Sequence, residues 1–399
     1  MTGMALLALV KALVVGASGA RAAAEDTITA SRCVQVVDAR VEDHHFVIEG
    51  WIPATSLDEF RTILEEASGG AATVVVDEDV NAAITAPSAI RSPTFARPYE
   101  LLVELYGMPG RDGYDPTLAT ALFMPLFFGL MIGDAGYGVA LIAAAAVLGR
   151  YFKTPLAGLA RSLLTWGGAW SIGFGLLLFG DVFGWSLQGL QPWYPYLYRE
   201  GDLFLLFGLS VAVGATHVNL GLLLGFRALR RRMGLKVAFL RKISWIILEN
   251  GAFILMLGLA GIALADLWYV GLGVMAFAIA LLAWGGGLTD VVEAPSFIGN
   301  LLSYLRLGII GIAEAALAGT LNAIIVTSLF PLGPAGWLAG GLLLVVGHGF
   351  LLLLAVITVG IQSLRLHYVE FYSKFYPSDS TRVVERFHPS VKAGLGEAR

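Results

Sequence analysis

The chain has 399 residues, of which 57% are hydrophobic and only 14% charged, and its mean hydropathy is +0.75. Soluble domains carry roughly a quarter charged residues, so lipid replaces water around much of this chain, which argues against a soluble enzyme with one core and against a disordered scaffold. A net charge of −4 leaves no basic footprint for nucleic acid, and the single cysteine, Cys33, permits neither an intrachain disulfide nor a cysteine-based zinc cage.

Residues 1–23 contain an apolar run from Met4 to Val15, interrupted by Lys11, and end on the small residues after Arg21. This pattern predicts either a remnant helix leading into the next domain or a targeting-like segment, although the basic leading region of a signal peptide is missing. Residues 24–98 have soluble composition and read as a small α/β domain. A strand is predicted over His45–Trp51, a helix from Thr55 to Glu66 with Ser56 and Glu59 as a capping box, and a second strand over Ala71–Asp77 after the Gly69-Gly70 stop. Arg91 to Pro98 reads as a polar linker, and 99–116 as an amphipathic connector. His44-His45 has too few neighbouring ligands for a metal site.

Residues 117–376 hold nearly all the long apolar runs, and 377–399 form a polar tail. With about 20 apolar residues needed to cross a membrane, the candidate spans are 117–132, 134–149, 157–180, 203–226, 243–264, 266–285, 296–329 and 337–364. The first two share a hinge at Gly133-Asp134 and could be one kinked helix or a tight pair. The segment 227–242 carries Arg227, Arg230, Arg231, Arg232, Lys236, Arg241 and Lys242 with no acid, and Arg150, Lys153 and Arg161 mark another basic loop, so both are placed on the cytoplasmic side. Trp185, Trp193, Tyr194, Tyr196 and Tyr198 form an aromatic belt at the far interface. Eight spans with both termini cytoplasmic satisfy these charges; seven would put the α/β part outside. The predicted fold class is therefore mainly α: a polytopic membrane bundle of about eight spans, with two long C-terminal helices and a small N-terminal α/β part.

Ionisable groups at membrane depth are costly, so each is a candidate functional group. Arg306 lies inside an apolar span, where it serves ion movement or pairs with Glu314, Glu293 or Asp290 to hold helices together. Arg365 closes the last apolar run, the usual place for an interfacial basic residue, with Gln362 one turn before it and His367 just after. Glu314, eight residues after Arg306, falls within about 80° of the same helix face. Glu293, His348, His217, Asp134 and Asp181 complete the candidates for a proton path, each histidine having the alternative of a hydrogen bond to a nearby carbonyl; Asp266 and Asp290 read as helix caps. No phosphate loop, HExxH motif or paired cysteines occur, so no cofactor, metal or catalytic residue is expected.

Six segments, taken in order, resemble the membrane subunit (subunit a, or I in prokaryotes) of the V/A-type rotary ATPase. They are Phe46–Pro53, Pro125–Gly138 with its Gly-Asp-Ala-Gly-Tyr-Gly ending, Phe179–Gly184, Glu293–Leu307 with Ser-Tyr-Leu-Arg-Leu, Gly347-His-Gly, and Ile361–Tyr376. The resemblance implies a non-catalytic stator subunit with a shortened N-terminal cytoplasmic domain, lying beside a ring of proteolipids, with peripheral-stalk, central-stalk and catalytic subunits as further partners. It implies two half-channels for protons or sodium ions, with Arg306 and Arg365 facing the ring carboxylate between them. Glu314 stands where vacuolar relatives commonly have histidine, and Ala355 where they have glutamate, so the half-channel lining is not carried over residue by residue. A secondary transporter would show an inverted repeat, which is not visible. An assembly relative without transport would lack one of the two arginines.

Overall fold

The structure is a computed structural model that describes residues 9–31, 33–42, 44–76, 92–109, 114–187, 197–199, 201–259 and 267–376. The chain folds as two compact units, with the boundary falling between Leu118 and Ala119.

The first unit contains a four-stranded antiparallel sheet in the order β2-β3-β1-β4, made of β1 (Leu9–Ala17), β2 (Gln35–Glu42), β3 (His45–Pro53) and β4 (Ala72–Val76). Helices α1 (Arg21–Ser31) and α2 (Leu57–Ser68) connect the strands in a split β-α-β pattern. Alternate strand residues, among them Ala12, Val14, Phe46, Ile48 and Val74, bury one sheet face against Ala24 and Ile28 of α1 and Phe60 and Leu64 of α2. The apolar run expected to be a helix is thus a strand. Residues 9–17 pair with β3 on one side and β4 on the other, and a central strand is apolar on both faces, which hides its alternation. The strand over 45–51, the helix over 55–66 and the strand over 71–77 are present within two residues of their expected ends. Gly69 closes α2 at φ +60, and its amide bonds the carbonyls of Glu65 and Glu66, but Ser56 makes no side-chain cap hydrogen bond, so the expected capping box is not formed. A single turn at residues 54–56 supplies the entry instead. Beyond β4, α3 (Glu100–Tyr106) follows.

The second unit is helical. Two short apolar helices, α4 (Thr117–Ile132) and α5 (Ala135–Tyr151), are followed, among the described residues, by six helices long and apolar enough to cross a membrane. These begin with α6 (Pro155–Phe179), α7 (Leu203–Met233), α8 (Leu235–Leu259) and α9 (Leu267–Gly286). The fifth run is α10 (Leu288–Leu302) and α11 (Leu305–Ile324), which bends at Ser303-Tyr304, and the sixth is α12 (Pro334–Arg365), prolonged by turns to Lys374. The choice between one kinked helix and two is settled by Gly133, whose φ of +50 turns the backbone between α4 and α5. Helices α5 and α6 then pack closely because Gly138 and Gly168 face each other: a Cβ on either would meet the other's carbonyl oxygen at 2.6–2.7 Å. The interior holds Phe127, Phe128, Met131, Tyr137, Tyr304 and Leu366. Trp185 and Tyr198 of the expected aromatic belt are exposed; Trp193, Tyr194, Tyr196 and Asp266 lie outside the described residues.

Two outcomes follow. Gly168→Leu forces α5 and α6 apart and costs about 1–3 kcal/mol, whereas Gly173→Leu, with nothing within 4 Å of its Cβ position, costs little; thermal unfolding of the chain in detergent separates them. In the first unit Asp115 is buried, accepting from the Thr117 amide and hydroxyl at 2.9 and 2.5 Å and from Ser92. Burial pushes its carboxyl above the usual range despite those bonds, with Glu100 adding to the effect. The native state then holds the proton more firmly than the unfolded chain. The associated stability is complete below about pH 4 and is lost as pH rises through the raised native value. Asp115→Asn should remove that decline from a melting-temperature series across pH.

Candidate functional site

Two groups of polar side chains lie inside the helical unit. The first is organised by Asp134, which follows the Gly133 turn in extended conformation and caps α5 by accepting from the Tyr137 amide at 2.9 Å. The same carboxylate accepts the Phe183 and Gly184 amides, both at 2.8 Å. Those two residues form the tip of a hairpin, β5 (Asp181–Val182) and β6 (Trp185–Ser186), and both have positive φ, the geometry of a two-residue hairpin turn. The carboxylate therefore joins α5 to the hairpin.

Arg199 enters from the chain beyond the hairpin and is only 4% exposed. Its guanidinium donates to the carbonyls of Ile132, Gly133 and Gly311, the first and last at 3.1 and 2.8 Å. It also lies 3.2 Å from Asp181 and over the ring of Phe179. It thus satisfies carbonyls left without partners at the end of α4 and ties them to α11. Beside it is a cavity of about 30 Å³ lined by Asp134, Tyr137, Asp181, Arg199 and Glu314, room for one or two waters. The Tyr137 hydroxyl bonds His348 Nδ1 at 2.7 Å, His348 Nε2 bonds Asn322 Oδ1 at 2.9 Å, and Asn322 Nδ2 donates to the Phe183 carbonyl at 2.7 Å. A polar line thereby runs from the Glu314 cavity to half-buried His348 on α12.

The second group surrounds the Ser303-Tyr304 bend. Tyr304 is fully buried, and its hydroxyl bonds His217 Nδ1 at 2.9 Å; Gly214 of α7 makes room for its ring. The His217 ring stacks on Phe371, and His367 Nδ1 donates to the Ser363 carbonyl at 2.8 Å. Glu370 accepts from Ser303 and lies in the field of both Arg306 and Arg365. Arg306 is half-buried with Nη1 lacking a partner, and Gln362 Oε1 is likewise unbonded.

Among the residues singled out from the sequence, the structure brings together Asp134, Asp181, Glu314 and, through Tyr137, His348. Arg306 and Arg365 separately share the field of Glu370, while His367 lies against the His217 ring. Glu314 shares its cavity with Arg199 rather than pairing with Arg306, because its offset around the helix turns it towards the hairpin. Glu293 is exposed on α10, its carbonyl bonded by Ser296. Arg199, Tyr137, Asn322, Glu370 and Glu249 do not stand out in the sequence. A lone basic residue in an aromatic-rich loop and a lone acid in the middle of a span are the available signals for the first and the last.

Long apolar helices with these charges inside define a polytopic membrane protein with ionisable sites in its interior. The model of the V-type ATPase 116kDa subunit family matches residues 31–180. The A-type ATP synthase subunit I of Archaeoglobus fulgidus is 29% identical, covering 84% of this chain and 57% of that protein. The one from Methanothermobacter thermautotrophicus is also 29% identical, over 83% and 50% respectively. The V-type ATP synthase subunit I of Borreliella burgdorferi is 23% identical over 81% and 57%. The chain is thus similar over most of its length to these A- and V-type ATP synthase subunit I proteins, and it spans about half the length of the curated relatives it matches.

The Arg199 geometry gives a stability outcome. Arg199→Met strands the helix-end carbonyls and Asp181 together and should cost about 3 kcal/mol or more. Asp181→Asn leaves the carbonyl bonds in place and should cost less, about 1–2 kcal/mol. Melting temperatures of the two variants in detergent check the order.

Proposed function

We propose that the chain is the stationary membrane subunit of a V/A-type rotary ATPase, passing protons or sodium ions beside a proteolipid ring and coupling that passage to rotation. The observation that carries this reading is the placement of the two arginines. On α12, Phe350, Leu354, Ile357, Ile361 and Val369 are all exposed and fall within about 80° of Arg365 around the helix, and Arg365 is exposed among them. On α11, exposed Ile309, Leu317 and Ile324 share the face of Arg306. A guanidinium on an apolar face at membrane depth requires an acidic partner rather than lipid, and a ring carboxylate answers that need.

The mechanism follows from the charge. A nearby guanidinium favours the ionised carboxylate, so the bound proton leaves before a ring site passes the arginines. An arginine stays charged at every working pH, so it accepts no proton and blocks a direct leak between the two sides. The Glu314–Tyr137–His348 line and the Glu370–Gln362 group serve as the two half-channels, with the arginines between them. With the arginine-rich stretch 227–242 facing the cytoplasm, the first opens outward and the second inward. The short helices α4 and α5 complete eight spans, both termini are cytoplasmic, and residues 24–98 belong to the part of the subunit that meets the stalks. ATP chemistry resides on other subunits.

ATP-driven ion uptake by membrane vesicles carrying the assembled complex tests the reading. Arg306→Ala should abolish uptake while the complex stays assembled, and Arg306→Lys should not restore it fully, since a lysine can release its proton. Uptake at the unmodified rate in Arg306→Ala would refute it.

A further inference from the structure

We propose that Glu249 is a proton-carrying carboxyl on the route between the arginine-rich side of the bundle and the face that bears Arg306 and Arg365. This rests on the ion-translocating reading above. Glu249 lies mid-way along the apolar helix α8, two turns and about 10 Å deeper than Lys242. It is 0% exposed, and neither carboxyl oxygen has a hydrogen-bond partner.

The ordinary structural roles do not fit. Glu249 is not at a helix end, and no described cation stands at ion-pairing distance from it. Lys242, the nearest basic residue on its own helix, donates instead to the Lys374 carbonyl at 2.6 Å. Helix α9 packs the Val274 and Met275 side chains against the neighbouring Gly251. The titratable groups that reach Glu249 through space come from elsewhere: Lys374 after α12, and Tyr304 at the bend before α11. Tyr304 lies in turn in the field of Glu370 and bonds His217.

These groups feel one another's charge in succession, Glu249 to Tyr304 to Glu370 to Arg306. Along it His217 Nε2, Glu370 Oε2 and Arg306 Nη1 are also buried without partners. Buried polar atoms are almost always bonded, and ordered water is the usual partner where protein supplies none. A file of water along this succession would satisfy each of them. An O–H bond then forms on Glu249 when a hydrated proton from the arginine-rich side delivers its proton and leaves water. It breaks when that proton passes through water to the Glu370 carboxylate; Glu370 hands it on to a ring carboxylate, and both carboxyls are back in the ionised state before the next proton arrives.

The test uses the assembled complex. A hydrophobic carbodiimide adds to a protonated carboxyl in apolar surroundings, and peptide mass spectrometry distinguishes Glu249 from the ring carboxylates. Modification of the Glu249 peptide, declining as pH is raised, is expected. In vesicles, Glu249→Gln should slow ATP-driven proton uptake by about tenfold, with Glu249→Asp recovering most of the rate. No modification at any pH where the ring is modified, or uptake at the unmodified rate in Glu249→Gln, would overturn the proposal. If Glu249→Gln does not assemble, the labelling of the unmodified chain decides alone. Arg306→Ala measured alongside separates the two readings: loss of uptake there with full uptake in Glu249→Gln removes only the role of Glu249, whereas full uptake in Arg306→Ala removes the translocation reading itself.

Discussion

A guanidinium cannot be left in hydrocarbon: it costs several kcal/mol at the centre of a membrane and, unlike lysine, has no neutral form to retreat to. The helical unit meets this constraint in three different ways. Arg199 spends both terminal nitrogens on helix-end carbonyls, and its Nε, without a hydrogen-bond partner, lies 3.2 Å from the Asp181 carboxylate. Arg306 is only partly satisfied, with one buried nitrogen unbonded. Arg365 sits on an exposed apolar face and lies in the field of Glu370. The three therefore differ in how much of their hydrogen bonding the chain itself supplies.

The same difference holds for the acids. Asp134 spends its carboxylate on three backbone amides and thereby locks the hairpin to α5. Glu314 and Glu249 have no such bonds, and each faces either a cavity or a string of other unbonded polar atoms. The fixed framework of Gly133, Asp134, Arg199 and the hairpin holds α4, α5 and α11 in register. The outer faces of α11 and α12 are left with apolar side chains and two arginines. Rigid support behind an incomplete charged surface is what a site needs if a mobile carboxylate is to pass it repeatedly in one geometry.

Much of this was legible in the residues. The long apolar runs gave the helices, because hydropathy at membrane depth is dictated by lipid rather than by neighbouring protein. Gly69 marked the end of α2 through its positive φ. What stayed hidden depended on partners distant in sequence. The strand 9–17 reads as a helix until β3 and β4 are found to flank it on both sides. Ser56 has the right type for a cap but is displaced by a preceding turn. Arg199 looks like one more loop residue until the chain brings it to carbonyls more than sixty positions before it and more than a hundred after. Asp134 reads as a channel acid by its depth alone, yet its oxygens are already taken by backbone. Depth identifies where a charge is expensive; only the fold tells whether that charge is already matched.

The claim on which the rest turns is that the α11–α12 face is the one that meets a ring of proteolipids. Cys33 is the only native cysteine, so after its replacement single cysteines can be placed at will. Ile361→Cys stands one turn from Arg365 at a position 60% exposed, and Phe277→Cys on α9 is a matched position 58% exposed. In the assembled complex, paired with a cysteine placed next to the ring carboxylate, oxidation should cross-link the first to the proteolipid and leave the second unlinked. Cross-linking from position 277 in preference to 361 would place the ring on the opposite side of the bundle and contradict the role given to the two arginines.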